Sequence, residues 1–85
     1  MASYAVDLRR SAVKELDDLA SADVERVMSR IRALAANPRP AGSEKLTGAE
    51  QYRVRQGVYR IVYEIDDTRR VVTIVKIGHR REVYR

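Results

Sequence analysis

The sequence predicts a single α+β domain over residues 1–85, on three observations. An apolar alternation opens the chain, two stretches of helical period follow, and three strand-like runs lie beyond a proline-containing break. At 85 residues and 9.7 kDa there is room for one core. A composition of 45% apolar and 34% charged residues is that of a folded globule rather than a disordered segment.

Residues 3–8 alternate Tyr4 and Val6 with Ala5 and Asp7, which reads as a short first strand. From about Arg9 the period changes. Ala12, Val13, Leu16, Leu19 and Ala20 fall on one helical face, while Lys14, Glu15, Asp17 and Asp18 fall elsewhere. Ser21 then reads as an N-cap, with Asp23 and Glu25 in the first turn of a second helix, where they complement its positive end. The stripe of that helix is Val24, Val27, Met28, Ile31, Leu34 and Ala35. Asn37-Pro38-Arg39-Pro40 stops it, because proline lacks the N–H donor and disfavours helix in the residue before it. After a loop around Lys45 come the runs 52–56, 59–66 and 71–78, joined closely enough for an antiparallel meander. The expected architecture is a short N-terminal strand, a helical hairpin and a three-stranded meander, with the helices packed on one face of the sheet and the other face free.

Composition narrows the chemistry. There is no cysteine and His79 is the sole histidine, so thiolate metal sites, disulfides and cysteine nucleophiles are excluded, and no metal site or cofactor is expected. No apolar run approaches the length that crosses a bilayer and no secretion signal opens the chain, so a cytoplasmic protein with no membrane partner is expected. Basic residues outnumber acidic ones 17 to 12, for a net charge of +5, which points to a polyanionic partner. Residues 1–42 hold seven basic and six acidic side chains, and residues 43–85 hold ten and six, so the second half carries the excess.

Strand parity concentrates that charge. Arg53 and Arg55 share one face of their strand while Tyr52 and Val54 share the other. A two-residue hairpin at Gly57 would align Tyr59, Ile61, Tyr63 and Ile65 with the apolar set, which forces Arg60 onto the face of Arg53 and Arg55. Guanidiniums facing one another across strands repel by up to about 1 kcal/mol per pair. Glu64 is expected on that face to offset part of this, and an anionic ligand the rest. His79, Arg80 and Arg81 can approach the face from the last strand, and Tyr84 adds a ring suited to stacking an unpaired base. His79 is equally a proton-exchanging group or a spare cation. Lys45 is a solvated loop residue or a contact to backbone phosphate.

Lys45-Leu46-Thr47-Gly48, Tyr52-Arg53-Val54-Arg55, Tyr59-Arg60-Ile61-Val62-Tyr63 and Gly78-His79-Arg80-Arg81-Glu82-Val83-Tyr84, at this spacing and chain length, resemble the RelE family of bacterial toxins. The resemblance covers nearly the whole chain. It implies the toxin of a type II toxin–antitoxin system: a metal-independent endoribonuclease that cuts mRNA in the ribosomal A site, inhibits translation and is silenced by a RelB-like antitoxin. Arg53, Arg55, Arg60, Arg80 and Tyr84 then occupy the family's active-site positions; separately from the resemblance, Lys45 and Arg81 are expected as RNA contacts. At the position of Arg53 the best-known members carry a lysine that can serve as base, whereas an arginine stays protonated. That leaves His79, a base from the ribosome, or electrostatic stabilisation alone. The alternatives are a ParE-like toxin that poisons DNA gyrase, and an inert nucleic-acid or antitoxin-binding module.

Overall fold

The computed structural model describes residues 3–47 and 50–79. Within them lie β1 (Ala5–Leu8), α1 (Arg10–Asp17), α2 (Ser21–Ala33), β2 (Glu44–Lys45), β3 (Gln51–Gln56), β4 (Tyr59–Asp66) and β5 (Val71–His79). The expected α+β class holds. The strands form one sheet in the order β1-β5-β4-β3-β2, antiparallel except for β1, which runs parallel to β5. Among the described residues no helix is long and apolar enough to cross a membrane.

The helices supply one wall of the core at helical spacing: Ala12 and Leu16 from α1, Val27 and Ile31 from α2, and Leu34 just past its end. Val13, expected on the buried face, is 40% exposed, because the inward row follows the four-residue step from Ala12 to Leu16. Ser21 is the first residue of α2 and not its cap. Ala20 holds the cap position without a side-chain hydrogen bond, and Asp23 is the acidic residue of the first turn.

The sheet supplies the other wall. Tyr52 faces Tyr63, Val54 faces Ile61 and Gln56 faces Tyr59 across β3 and β4, so the expected apolar set shares the helix side. Gly57, at φ +61, opens the two-residue turn that sets this register, a conformation that would strain a side-chain-bearing residue. On the β4–β5 ladder the register shifts between Val62 and Tyr63: Tyr63 pairs with Ile74 but Val62 pairs with Lys76. Val75 is therefore an extra residue, a β-bulge that reverses the phase of everything after it. The reversal brings Ile77, 2% exposed, into the core beside Ile61.

Two further devices close the fold. β1 pairs with β5 only as far as Ile74, and α1 covers the remaining edge, where Glu15 Oε1 accepts the Ile77 N–H at 2.9 Å. At the opposite end Arg39 forks onto Asp67 at 3.1 and 2.9 Å, while the Tyr4 hydroxyl donates to Asp67 at 2.7 Å. Arg39 also donates to the Tyr52 hydroxyl at 3.2 Å and lies 5.1 Å from the centroid of its ring, which stacks on Tyr63. Hydrogen bonds from Arg39, and then from Tyr4, hold the Asp67 carboxyl down at about 2. This clasp ties the segment after α2 to the turn between β4 and β5. Tyr63 completes it by donating to the Pro38 carbonyl at 2.7 Å inside the core.

Candidate nucleic-acid interface

The sheet face turned away from the helices is organised in rungs. The first holds Arg55 on β3, Arg60 on β4 and Gly78 on β5. The second holds Glu44 on β2, Arg53 on β3, Val62 on β4 and Lys76 on β5. The third holds Gln51, Glu64, Thr73 and Asp7. Positive charge thus collects towards the β3–β4 hairpin and negative charge towards the far end.

Arg53, Arg55 and Arg60 do share a face, as alternation predicted, and Arg55 stands directly opposite Arg60. Their environments differ. Arg55 is exposed, the Arg53 side chain is 17% exposed, and Arg60 is only 4% exposed beside Gly78, a residue with no side chain to obstruct it. Solubility needs arginines in water, whereas removing a guanidinium from water costs several kcal/mol before compensation. The depth of Arg60 therefore marks it as more than a solubilising residue.

Glu64 lies on this face as expected, one rung beyond Arg53. Its carboxylate accepts from Arg9 at 3.1 Å and from Gln51 at 3.2 Å. Among the described residues, Glu44 places a carboxylate beside the arginines, 3.1 Å from Arg53. Glu44 is hard to place from the sequence because a two-residue strand is too short to show a period. The alternation Ser43-Glu44-Lys45-Leu46 was the available signal.

Two expected contacts fall on the other side. Lys45 pairs with Tyr52, whose parity is that of the helix side, and its ammonium lies 3.6 Å from Glu50. His79 pairs with Tyr59 and meets that ring edge-on, with centroids 6.4 Å apart. Unbroken alternation from Val72 and Ile74 would have put His79 with the arginines. The bulge at Val75 sends it to the helix side and delivers Lys76 to the arginine face in exchange. Lys76 was thus missed, although the three-residue step between the inward Ile74 and Ile77 announces the break in phase. Arg80, Arg81 and Tyr84 lie outside the described residues.

An α+β domain with a short N-terminal strand, two helices and a mostly antiparallel sheet matches the fold of solved RelE toxins. A family model described as the ParE toxin of the type II toxin–antitoxin system parDE matches residues 6–84. RelE1 of Methanocaldococcus jannaschii is 29% identical over 86 residues, spanning 96% of each chain. Among solved structures, the toxin–antitoxin complex RelBE2 of Mycobacterium tuberculosis superposes with a TM-score of 0.83 at 26% identity, covering 91% of this chain and 98% of that one. The archaeal RelE–RelB complex of Pyrococcus horikoshii gives 0.82 at 30% identity, covering 94% and 97%. The chain belongs to the RelE/ParE superfamily and is the toxin of a type II toxin–antitoxin system.

Proposed function

We propose that this toxin is a metal-independent, ribosome-dependent endoribonuclease that cuts mRNA in the A site and so inhibits translation. The observation that carries the reading is Arg60, sunk into the sheet face opposite Arg55 and diagonal to Arg53. In the proposed reaction the ribose 2′-oxygen forms a bond to the adjacent phosphorus as the bond from phosphorus to the 5′-oxygen breaks. The products are a 2′,3′-cyclic phosphate and a 5′-hydroxyl. Charge grows on the non-bridging oxygens in the transition state, and preorganised guanidiniums aimed there stabilise it without having to reorient. Arg53, Arg55 and Arg60 take this role. Being permanently protonated, they do not accept the 2′-hydroxyl proton. By family resemblance Arg80 acts on the leaving 5′-oxygen, donating a hydrogen bond to it as its charge grows, while the 2′-hydroxyl proton passes to solvent and the 5′-oxygen takes one from solvent; Arg81 grips the backbone and Tyr84 stacks the nucleotide. His79, on the helix side beside Tyr59, is not assigned to the proton transfer. RelB-type antitoxins accompany the toxins in the Mycobacterium and Pyrococcus structures, and a RelB-like antitoxin is the proposed partner here.

The test is to induce the chain and map the 5′ ends of cellular mRNA. The expected result is in-frame cuts within codons, lost when translation is blocked and lost with Arg60→Lys. The match to a ParE family model favours a second reading, a toxin that poisons DNA gyrase and cuts no RNA. Growth arrest with intact mRNA and damaged DNA would select it.

A further inference from the structure

Lys76 is the one lysine on the arginine face. Across the β4–β5 ladder it faces Val62, with Arg53 beyond on the same rung, and it is diagonal to Arg60, whose partner Gly78 lies two residues on. Its ammonium is held at the β5 edge by Glu15 Oε2 at 3.2 Å. The other oxygen of Glu15 accepts the Ile77 N–H at 2.9 Å. One carboxylate therefore closes the sheet edge and restrains the lysine at once.

That division makes the lysine exchangeable. If the ammonium leaves, Glu15 keeps its backbone hydrogen bond, so it is not left stranded. The side chains of Lys76 and Glu15 are 44% and 31% exposed, an ion pair open to solvent and weak on its own. A phosphodiester on Arg55 and Arg60 would bring a further backbone anion within reach of a hydrated point charge on a flexible stem. We infer that Lys76 is a fourth cation of the phosphate-binding face, and that Glu15 is its internal counterion, released when RNA phosphate takes the ammonium. This rests on the nuclease reading above, and the experiment separates the two.

Binding of a short single-stranded RNA to the purified chain is followed by fluorescence anisotropy across a salt series. Lys76→Gln should weaken binding about fivefold and reduce the slope of log K against log salt by about 0.7, the increment for one phosphate contact on a single strand. Lys14→Gln, on exposed α1, removes the same charge away from the face and should leave that slope unchanged. Glu15→Gln should tighten binding, because its amide oxygen still accepts from Ile77 while releasing the lysine. The gain should vanish in the Glu15→Gln, Lys76→Gln double variant. Lys76→Arg, which keeps the charge, should bind like the parent, so a loss of fold in Lys76→Gln would not pass for a lost contact.

Equal slopes for Lys76→Gln and Lys14→Gln would overturn the inference. So would a Glu15→Gln gain that survives without Lys76, or a parent chain that binds no RNA. Cleavage on mRNA-programmed ribosomes reads the nuclease separately. Intact mRNA alongside a clear Lys76 effect on binding would sink the nuclease reading alone, and cleavage without any Lys76 effect would sink this inference alone.

Discussion

On the helix side of β4, Ile61 and Tyr63 are fully buried against Val54, Ile74 and Ile77, while on the opposite side Arg60, Val62 and Glu64 stand among arginines, a lysine and carboxylates. The same backbone holds both sets, so alternate residues of one strand serve stability and recognition. The apolar set is stabilised by exclusion of water and close packing, which tolerate no lost volume. The charged set gathers like charges at a cost of tenths of a kcal/mol to about 1 kcal/mol per facing pair, a cost an anionic ligand reverses. Stability and activity should therefore separate by strand parity.

The largest expected effect tests the packed side. Ile61→Ala should cost about 2–5 kcal/mol, read as a lower midpoint in urea, because it opens a cavity at a fully buried position. A loss below about 1 kcal/mol would mean that the wall between helices and sheet is loosely packed.

Next comes its neighbour on the other side. Arg60→Lys keeps the charge but removes the planar fork, and should lower A-site cleavage about 100-fold, as for loss of one transition-state donor. Its melting temperature should fall far less than that of Ile61→Ala. A collapse of stability with unchanged cleavage would reverse the parity assignment.

The Asp67 clasp makes the stability of the packed side depend on pH. With the Asp67 carboxyl held at about 2 in the folded chain and near 3.9 when unfolded, its contribution is nearly complete above about pH 5 and is lost as pH falls through 4 towards 2. Asp67→Asn should lower the melting temperature at pH 7 and flatten its decline between about pH 5 and 2. Parallel curves for parent and variant would show that the Arg39 and Tyr4 contacts do not stabilise the fold.

The smallest effect lies in the turn between β4 and β5, remote from the arginines. Arg70 has φ +55, a left-handed conformation costly for a residue with a Cβ. Arg70→Gly should raise stability by about 0.5 kcal/mol in denaturant titration, after the larger unfolded-state entropy of glycine is offset, and leave cleavage unchanged. A loss of stability there would mean that the Arg70 side chain stabilises the fold by more than its backbone strain costs.

Much of this was legible in the sequence, and each miss has its own physical cause. The α2 stripe and the apolar set of β3 and β4 follow from local periods, which survive folding wherever no residue is inserted. Glu44 escaped because two residues show no period, and Ser21 because Ala20 holds the cap position without a side-chain bond.

The sequence was enough for the order of every element but β2, for the helical wall of the core and for the company of Arg53, Arg55 and Arg60, since a two-residue turn at Gly57 leaves one consistent parity. Only the tertiary structure decided the phase of β5 and the depth of Arg60. With Ile74 already inward, strict alternation would bury Lys76 and expose Ile77. Burying a charge costs more than burying an isoleucine gains, and one bulged residue at Val75 resolves the conflict. That one residue moves His79 away from the arginines, puts Lys76 among them and places a glycine opposite Arg60.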